Sequence, residues 1–305
     1  MFRLLVVRIG HGALVVLAIT TVVFFAVQAT GDPASYLISP NTTAAELAEL
    51  RSRLGLDGSL LEQYGRFIQN ALVGDFGTSF RQRRAAMSVV LERVPATLEL
   101  AFAAALVSIF VGIPFGVIAA VKRNSVIDRA LSTFALLGQA IPVFWLGLML
   151  ILVFAVQLNL LPAAGRGTLA HLVLPAIALG GYSMARITRV ARSSVIEAFG
   201  QDYVRTARAK GVAPHVVVVK HTLRNAAIPI LTIAALEIGT FLGGSIITET
   251  IFSWPGLGRL LIQSIQFRDF PVVIAGVFLF SVIIVVINIL VDVAYVILDP
   301  RITYG

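Results

Sequence analysis

The chain contains no cysteine and little charge. Without cysteine there is no disulfide framework, no thiol nucleophile and no thiolate metal site. Aspartate, glutamate, lysine and arginine make up 13% of the 305 residues, against about 25% in an ordinary soluble domain. Two catalytic signatures are missing as well. There is no His-Glu-x-x-His pair for zinc and no Gly-x-Ser-x-Gly elbow for a serine nucleophile. The histidines, His11, His171, His215 and His221, are scattered along the chain. A membrane enzyme therefore finds no support. Nor is there a Gly-x-x-x-x-Gly-Lys-Ser/Thr loop, whose backbone amides would cradle nucleotide phosphates.

What the chain has instead is apolar length. Hydrophobic residues are 58% of the total and collect in blocks long enough to cross the ~30 Å hydrocarbon core as helices. Six spans are expected, at about 9–29, 97–121, 131–156, 172–190, 226–248 and 272–297. All should be helical, because lipid offers no partner for an unpaired backbone group. The first block, Ile9 to Ala29, is 21 residues long. That exceeds the apolar core of a signal peptide, about 7–15 residues, so it is read as a retained span. The expected fold class is an all-α membrane protein.

The net charge of +8 would suggest nucleic acid as the partner of a soluble protein. Here the basic residues sort by side, so topology is the better explanation and no nucleic acid is expected. The N-terminal tail (Arg3, Arg8), the loop 122–130 (Lys122, Arg123, Arg129), the segment 186–225 and Arg301 hold 14 of the 24 basic residues. The loops 157–171 and 249–271 hold only Arg166, Arg259 and Arg268. Both termini and the 191–225 segment are therefore expected in the cytoplasm.

Two stretches outside the spans have their own pattern. In 31–96, Thr43-x-x-Glu46 and Ser59-x-x-Glu62 are capping boxes that should each open a short helix. Leu47, Leu50 and Leu54 line one face of the first, and Gly55 suits its stop. This small helical insertion is either a packed cap or a docking surface. In 249–271, Phe252-Ser253-Trp254-Pro255-Gly256-Leu257-Gly258 has turn chemistry, and Leu260, Leu261, Ser264 and Ile265 then recur at helical spacing. A short helix against the outer membrane face is expected, with Trp254 at headgroup level. A role for Trp254 in an outer gate is the alternative.

The segment that no packing argument explains is Asp202-Tyr203-Val204-Arg205-Thr206-Ala207-Arg208-Ala209-Lys210-Gly211. Asp202 can cap a two-turn helix, Gly211 can stop it in the left-handed region, and Pro214 prevents continuation. Such a helix is not stable alone in water and must be held by the bundle or a partner. Arg205 and Arg208 share one face; Tyr203, Ala207 and Lys210 share another; Ala207 and Ala209 would let a neighbour approach closely. These residues could equally be a basic cytoplasmic loop with incidental helicity.

At these positions the chain resembles the EAA loop of ABC-importer permeases, whose general pattern is Glu-Ala-Ala, three residues, Gly, nine residues, then Ile-x-Leu-Pro. It departs from that pattern with Arg205-Thr206, His221 and Arg224. The departures are similar to those of the dipeptide/oligopeptide/nickel permease family, in its B-type subunit. The likeness extends along the chain through Gly31-Asp32-Pro33, Leu54-Gly55-Leu56-Asp57, Gln63-Tyr64, Gly74-Asp75-Phe76-Gly77-x-Ser79, Thr97-Leu98-Glu99-Leu100, the 252–258 turn and Asp299-Pro300-Arg301.

The resemblance implies a type I ABC-importer-like bundle working by alternating access in a bacterial or archaeal inner membrane. It implies a coupling helix contacted by an ATPase through Asp202, Tyr203, Arg205, Thr206, Ala207, Arg208, Lys210 and Gly211. The implied partners are a second homologous permease in a heterodimer, two cytoplasmic P-loop ATPase subunits that carry the ATP and Mg, and an extracytoplasmic substrate-binding protein. This chain would hold no cofactor or metal. Peptides are the favoured cargo, because a nickel site would want clustered ligands; nickel or another small solute is the alternative. An ion-coupled transporter would need ionisable groups at membrane depth, and Glu237 is the one acid well inside an expected span. Glu237 could face the pathway, pair with a neighbouring helix or sit protonated. Gln139, Pro142, Gly243, Gly244 and Asn288 are further candidates for pathway lining or helix breaks.

Overall fold

Hydrocarbon cannot satisfy backbone polar groups, so the apolar blocks fold as helices. The computed structural model describes residues 2–29, 43–53 and 57–298. The motifs Gly31-Asp32-Pro33 and Asp299-Pro300-Arg301, the stripe residue Leu54 and the helix stop at Gly55 lie outside the described residues. Within them every regular element is helical, apart from one isolated bridge between Thr78 and Ala85. Four helices are long and apolar enough to cross a membrane: Leu5–Ala29, Ala86–Val121, Pro214–Ile251 and Phe270–Val293. A bent pair, Val126–Ala140 with Val143–Gln157, makes a fifth if it counts as one span. Large apolar side chains such as Leu14, Val22 and Phe110 stay exposed on these helices, as a lipid-facing surface requires.

The chain divides into two compact units, residues 1–95 with 256–286, and residues 96–255 with 287–305. The first unit holds α1 (Phe2–Ala29), α2 (Ala44–Arg53), α3 (Leu60–Leu72) and α4 (Ala86–Leu91). It also contains α12 (Leu257–Gln266) and the start of α13 (Phe270–Leu298). Both expected capping boxes form. The Thr43 backbone N–H donates to Glu46 Oε2 at 2.7 Å and the Ser59 N–H to Glu62 Oε2 at 2.8 Å. The Thr43 backbone N–H, then its hydroxyl, hold the Glu46 carboxyl below the usual carboxylate range. Helix α3 packs on α1 through Phe67 stacked on Phe24 at 4.9 Å and the Tyr64 hydroxyl against Thr21 Oγ1 at 2.8 Å.

The Gly74–Ser79 motif is a polar knot. Gly74 and Gly77 adopt φ of 78° and 80°, the region glycine enters without strain. Phe76 fills a core with Val89, Val90, Leu257, Leu260 and Val272. The buried Asp269 carboxylate accepts from Ser79 Oγ at 2.5 Å and from the Phe80 N–H at 2.9 Å. The apolar face of helix α12, expected to meet a lipid surface, packs into protein instead. Its residues Leu257, Leu260, Leu261 and Ser264 are buried in this unit, and only Ile265 of the periodic set is exposed.

The second unit holds α5 (Val94–Val121, entering from the first), α6 (Val126–Ala140), α7 (Val143–Leu150), α8 (Leu169–Phe199), α9 (Asp202–Ala209), α10 (Pro214–Val216) and α11 (Leu223–Ile251). Two π-helical turns, π1 (Ile151–Gln157) and π2 (Val217–Thr222), interrupt the regular pattern. The stretch expected as one span at 131–156 is broken, with α6 and α7 meeting at a 109° bend. Pro142 is the cause: it pushes Ile141 into extended backbone (φ −80°, ψ 124°), because a residue before proline is disfavoured in the helical region. Helix α8 runs nine residues past the expected end at 190, and its 31 residues give about 46 Å of rod.

Trp254 is also placed differently from expectation. It is wholly buried, its indole N–H donates to the Ala96 carbonyl at 2.8 Å, and it packs with Leu100, Ala104, Leu179 and Phe241. A tryptophan seeks the headgroups when its N–H lacks an internal partner; here it has one.

Helices α5 and α8 touch at backbone distance. A Cβ on Gly116 would stand 2.5 Å from both the Thr188 carbonyl oxygen and the Ala191 Cβ, and one on Gly112 would stand 2.8 Å from the Met184 carbonyl oxygen. Small residues permit such approach in membranes, where packing rather than water expulsion holds helices together. Gly116→Val is expected to destabilise the protein by about 1–3 kcal/mol or more, read as a lowered unfolding temperature in detergent. An unchanged temperature would show that the crossing is not close-packed.

Candidate functional site

The expected coupling residues form a helix with two unlike faces. In α9, Val204 and Ala207 are buried against Val217 of π2, with Phe199 and Val212 packed alongside. Asp202, Tyr203, Arg205, Thr206, Arg208 and Lys210 face outward. Ala207 thus anchors the helix from beneath, where an outward surface was expected, because the i, i+3 pair Val204–Ala207 is the helix's only apolar pair directed at the bundle. Asp202 is not the cap either. Gln201 occupies that position without a side-chain bond, and Asp202, in the first helical turn, meets the Arg205 guanidinium at 3.1 Å. A carboxylate in the first turn still suits the helix dipole.

The far end is closed as the glycine demands. Gly211 has φ 74°. Its N–H donates to the Arg208 carbonyl at 3.0 Å and the Val212 N–H to the Ala207 carbonyl at 3.2 Å, the two bonds of a Schellman stop. Val212 and Ala207 supply the apolar contact that accompanies it. The Arg208 guanidinium lies 5.4 Å from the Phe199 ring centre. A cavity of about 390 Å³ opens beside the helix, with Glu197, Gln201, Tyr203, Asn225 and Pro229 on its wall. The chain then passes through Pro214 and π2 into α11. No sequence signal foretells π2, in which Thr222 Oγ1 donates to the Val217 carbonyl five residues back; such turns recur at functional sites.

Above this region α8 carries a row of arginines at 186, 189 and 192. Arg192 is clamped by Asp128 of α6, with Nε to Oδ1 at 2.6 Å and Nη2 to Oδ2 at 2.9 Å. Arg186 donates to Glu237 Oε1 of α11 at 2.9 Å, and Ser183 Oγ donates to Glu237 Oε2 at 2.6 Å. Arg189 donates to Gln139 Oε1 of α6 at 2.7 Å. Of the readings left open for Glu237, helix pairing is the one seen, since the residue is fully enclosed. Gln139 lies on a cavity wall with the arginines. Gly243 is exposed on α11, whereas a Cβ on Gly244 would stand 3.0 Å from Leu179 Cδ1, so Gly244 serves packing. α11 runs unbroken through both.

Sequence reasoning missed three buried acids, Asp269 of the first unit and, in the second unit, Asp128 and Glu249. Asp128 is half of a Ser125-x-x-Asp128 start signal, its N–H donating to Ser125 Oγ at 3.2 Å, and that signal was there to be read. Glu249 lies one residue past the expected end of its span and accepts from Thr97 Oγ1 at 2.6 Å. His171 is engaged in starting α8, its Nδ1 facing the Thr168 hydroxyl at 2.9 Å.

Residues 112–304 match the family described as "Binding-protein-dependent transport system inner membrane component", and residues 1–101 match its N-terminal region. The chain belongs to this family. Among curated relatives of this inner membrane component is the dipeptide transport system permease protein DppB of Escherichia coli (strain K12). It is 39% identical over 337 residues, covering 100% of this chain and 99% of that protein. The glutathione transport system permease protein GsiC of Escherichia coli (strain K12) is 43% identical over 274 residues, 90% of each. Among solved structures, the inward-facing MetNI methionine ABC transporter in its CY5 native crystal form aligns with a TM-score of 0.58 at 21% identity, covering 70% of this chain and 97% of that one. That likeness speaks for the fold alone. The inner membrane component is thus a multi-pass membrane protein with the helical fold of ABC-importer permeases.

The Glu237 carboxylate makes an asymmetric prediction. Arg186→Ala would strand a buried carboxylate with only hydroxyl partners, costing of order 3 kcal/mol. Glu237→Gln keeps an acceptor and leaves a half-exposed arginine, costing about 1 kcal/mol. Unfolding temperatures of the two variants should differ in that order, and equal losses would refute the pairing.

Proposed function

We propose that this chain is a permease subunit of an ATP-driven, binding-protein-dependent importer, that its cargo is di- and oligopeptides, and that α9 is the element an ATPase subunit grips. The observation that carries the coupling reading is the two-faced α9. A helix of eight residues, too short to persist alone, is fixed by Val204 and Ala207 and closed at Gly211. Its outer face stays free with Tyr203, Arg205, Thr206, Arg208 and Lys210. The peptide cargo is supported by the dipeptide and glutathione relatives.

In this reading six segments cross the membrane, the fourth being α8. Its charges at Arg186 and Arg192 are answered inside the bundle. Both termini and residues 191–225 lie in the cytoplasm, and 31–96 is an extracytoplasmic insertion. A second, homologous permease completes the pathway. Two P-loop ATPases carry the ATP and Mg, and a binding protein delivers substrate. Alternating access then needs a differential of about 5.5 kcal/mol to move a bundle from 1:99 to 99:1, which a nucleotide-driven change in the ATPases can deliver through α9. Ion coupling loses its main support, because Glu237 is taken up by Arg186 and Ser183.

Gly211 tests the coupling. Gly211→Val forces a β-branched residue into φ 74°, a strain of about 1–3 kcal/mol. Peptide uptake by the reconstituted importer should fall at least tenfold while ATP hydrolysis continues, and Gly211→Asn, which tolerates that backbone, should keep uptake. Normal uptake with Gly211→Val would sink the coupling role. Arg205→Glu combined with Arg208→Glu is expected to lower co-purification of the ATPase subunits several-fold in moderate salt, and undiminished co-purification would place the contact elsewhere.

A further inference from the structure

A cavity of about 680 Å³ opens where α6 faces α8, with Ser132, Gln139, Tyr182, Arg186, Arg189 and Ser193 on its wall. Its volume falls in the range of about 300–1,000 Å³ typical of small-ligand sites. Among the described residues no aspartate or glutamate lines it. The three α8 arginines differ in how their charge is met. Asp128 takes Arg192 with both carboxylate oxygens, and Glu237 takes Arg186. Arg189, between them, meets only the neutral amide oxygen of Gln139 among the described residues. A guanidinium offers a fork of donors that fits a carboxylate at two points, and one amide oxygen leaves most of that fork unused.

We propose that Arg189, with Gln139 and Tyr182, forms a transient site for the C-terminal carboxylate of the peptide in transit. The inference rests on the peptide-import reading above. The sign of the wall decides which end of a peptide it takes: Arg189, the wall arginine that no carboxylate meets among the described residues, repels an ammonium group and attracts a carboxylate. Ser132, Ser193 and the Tyr182 hydroxyl supply hydrogen-bonding groups for the peptide units. Gln139 makes the site one of passage. The carboxylate displaces the amide oxygen from Arg189 as it binds, and the amide returns as it leaves. A step in a pathway needs binding that can be undone, and a carboxylate in place of Gln139 would hold the arginine shut.

The test compares a dipeptide with its C-terminal amide. Uptake of each is measured in vesicles containing the complete importer and its binding protein, for the natural protein and for Arg189→Gln. The binding protein's own preference is the same in both and cancels in the comparison. Arg189→Gln should lower the preference for the free acid over the amide about tenfold, as expected for a hydrogen bond to a charged group. Gln139→Glu, which leaves Arg189 in place but neutralises it, should do the same. Arg189→Lys should keep part of the preference. An unchanged preference in both Arg189→Gln and Gln139→Glu, whatever the fall in total uptake, would overturn the proposal and leave Arg189 to packing or to a lipid phosphate. Loss of the second permease from purified Arg189→Gln complexes would overturn it by assigning the charge to the subunit contact. Failure of the natural importer to take up either peptide would instead refute the import reading on which it rests.

Discussion

A charge set among apolar helices has to be answered by another side chain, and the second unit is organised around that requirement. Helix α8 carries Arg186, Arg189 and Arg192, and each reaches a different point: Glu237 on α11, Gln139 on α6 and Asp128 on α6. The buried pairs are directional where apolar contact is not. Sliding α8 by one turn against α11 would separate Glu237 from both Arg186 and Ser183 and strand a carboxylate with no water to take it. Register is thereby fixed by chemistry as well as by the close glycine contacts with α5. The same rule explains Glu249, which is tolerable in its buried place because Thr97 donates to it.

The helices themselves were legible in hydropathy, because a backbone in lipid has no alternative to the helix. The two capping boxes and the stop at Gly211 were legible because each is a local bond pattern between residues a few positions apart. What failed was whatever depended on partners distant in sequence. Trp254 was assigned to the headgroups on the general habit of tryptophan, and the Ala96 carbonyl, 158 residues away, reversed it. Residues 260–265 showed an apolar periodicity that fits a lipid surface and a protein core equally well, and the structure buries Leu260, Leu261 and Ser264 in the core. Helix α8 continues beyond the span expected to end at 190, and Arg192 in that extension has Asp128, 64 residues away, to neutralise it. The π turns carry no signature in composition at all.

The candidate site divides along the same line. The outward residues of α9 could be named from sequence, but its inner face could not. Ala207 looked like a surface residue that lets a neighbour approach. In the structure it is the C-terminal half of the helix's only apolar contact with the bundle, and the Val212 N–H closes on its carbonyl. A residue with no functional group is thus what orients the charged face. Asp202 shows the converse: a residue with a strong capping preference sits one position too late to cap, because Gln201 is the last residue in extended backbone.

These placements bear on how force on α9 would travel. The helix has no apolar face other than Val204 and Ala207, so it cannot move independently of Phe199, at the end of α8, and Val217, in the turn that becomes α11. The two long helices are in turn tied by Glu237 to Arg186 and Ser183. A push on α9 therefore reaches α8 and α11 at their roots, and the buried pair further along keeps them moving as one. The cavity wall that holds Gln139 and Arg189 joins α6 to this pair through Asp128 and Arg192. Helix α8 is the common member of the α9 end, the buried pairs and the cavity, so in the proposed coupling a rotation of α8 relative to α6 would change the distance from Arg189 to Gln139. Under that proposal, access to the arginine would follow the movement that the ATPase imposes, with no separate gate required.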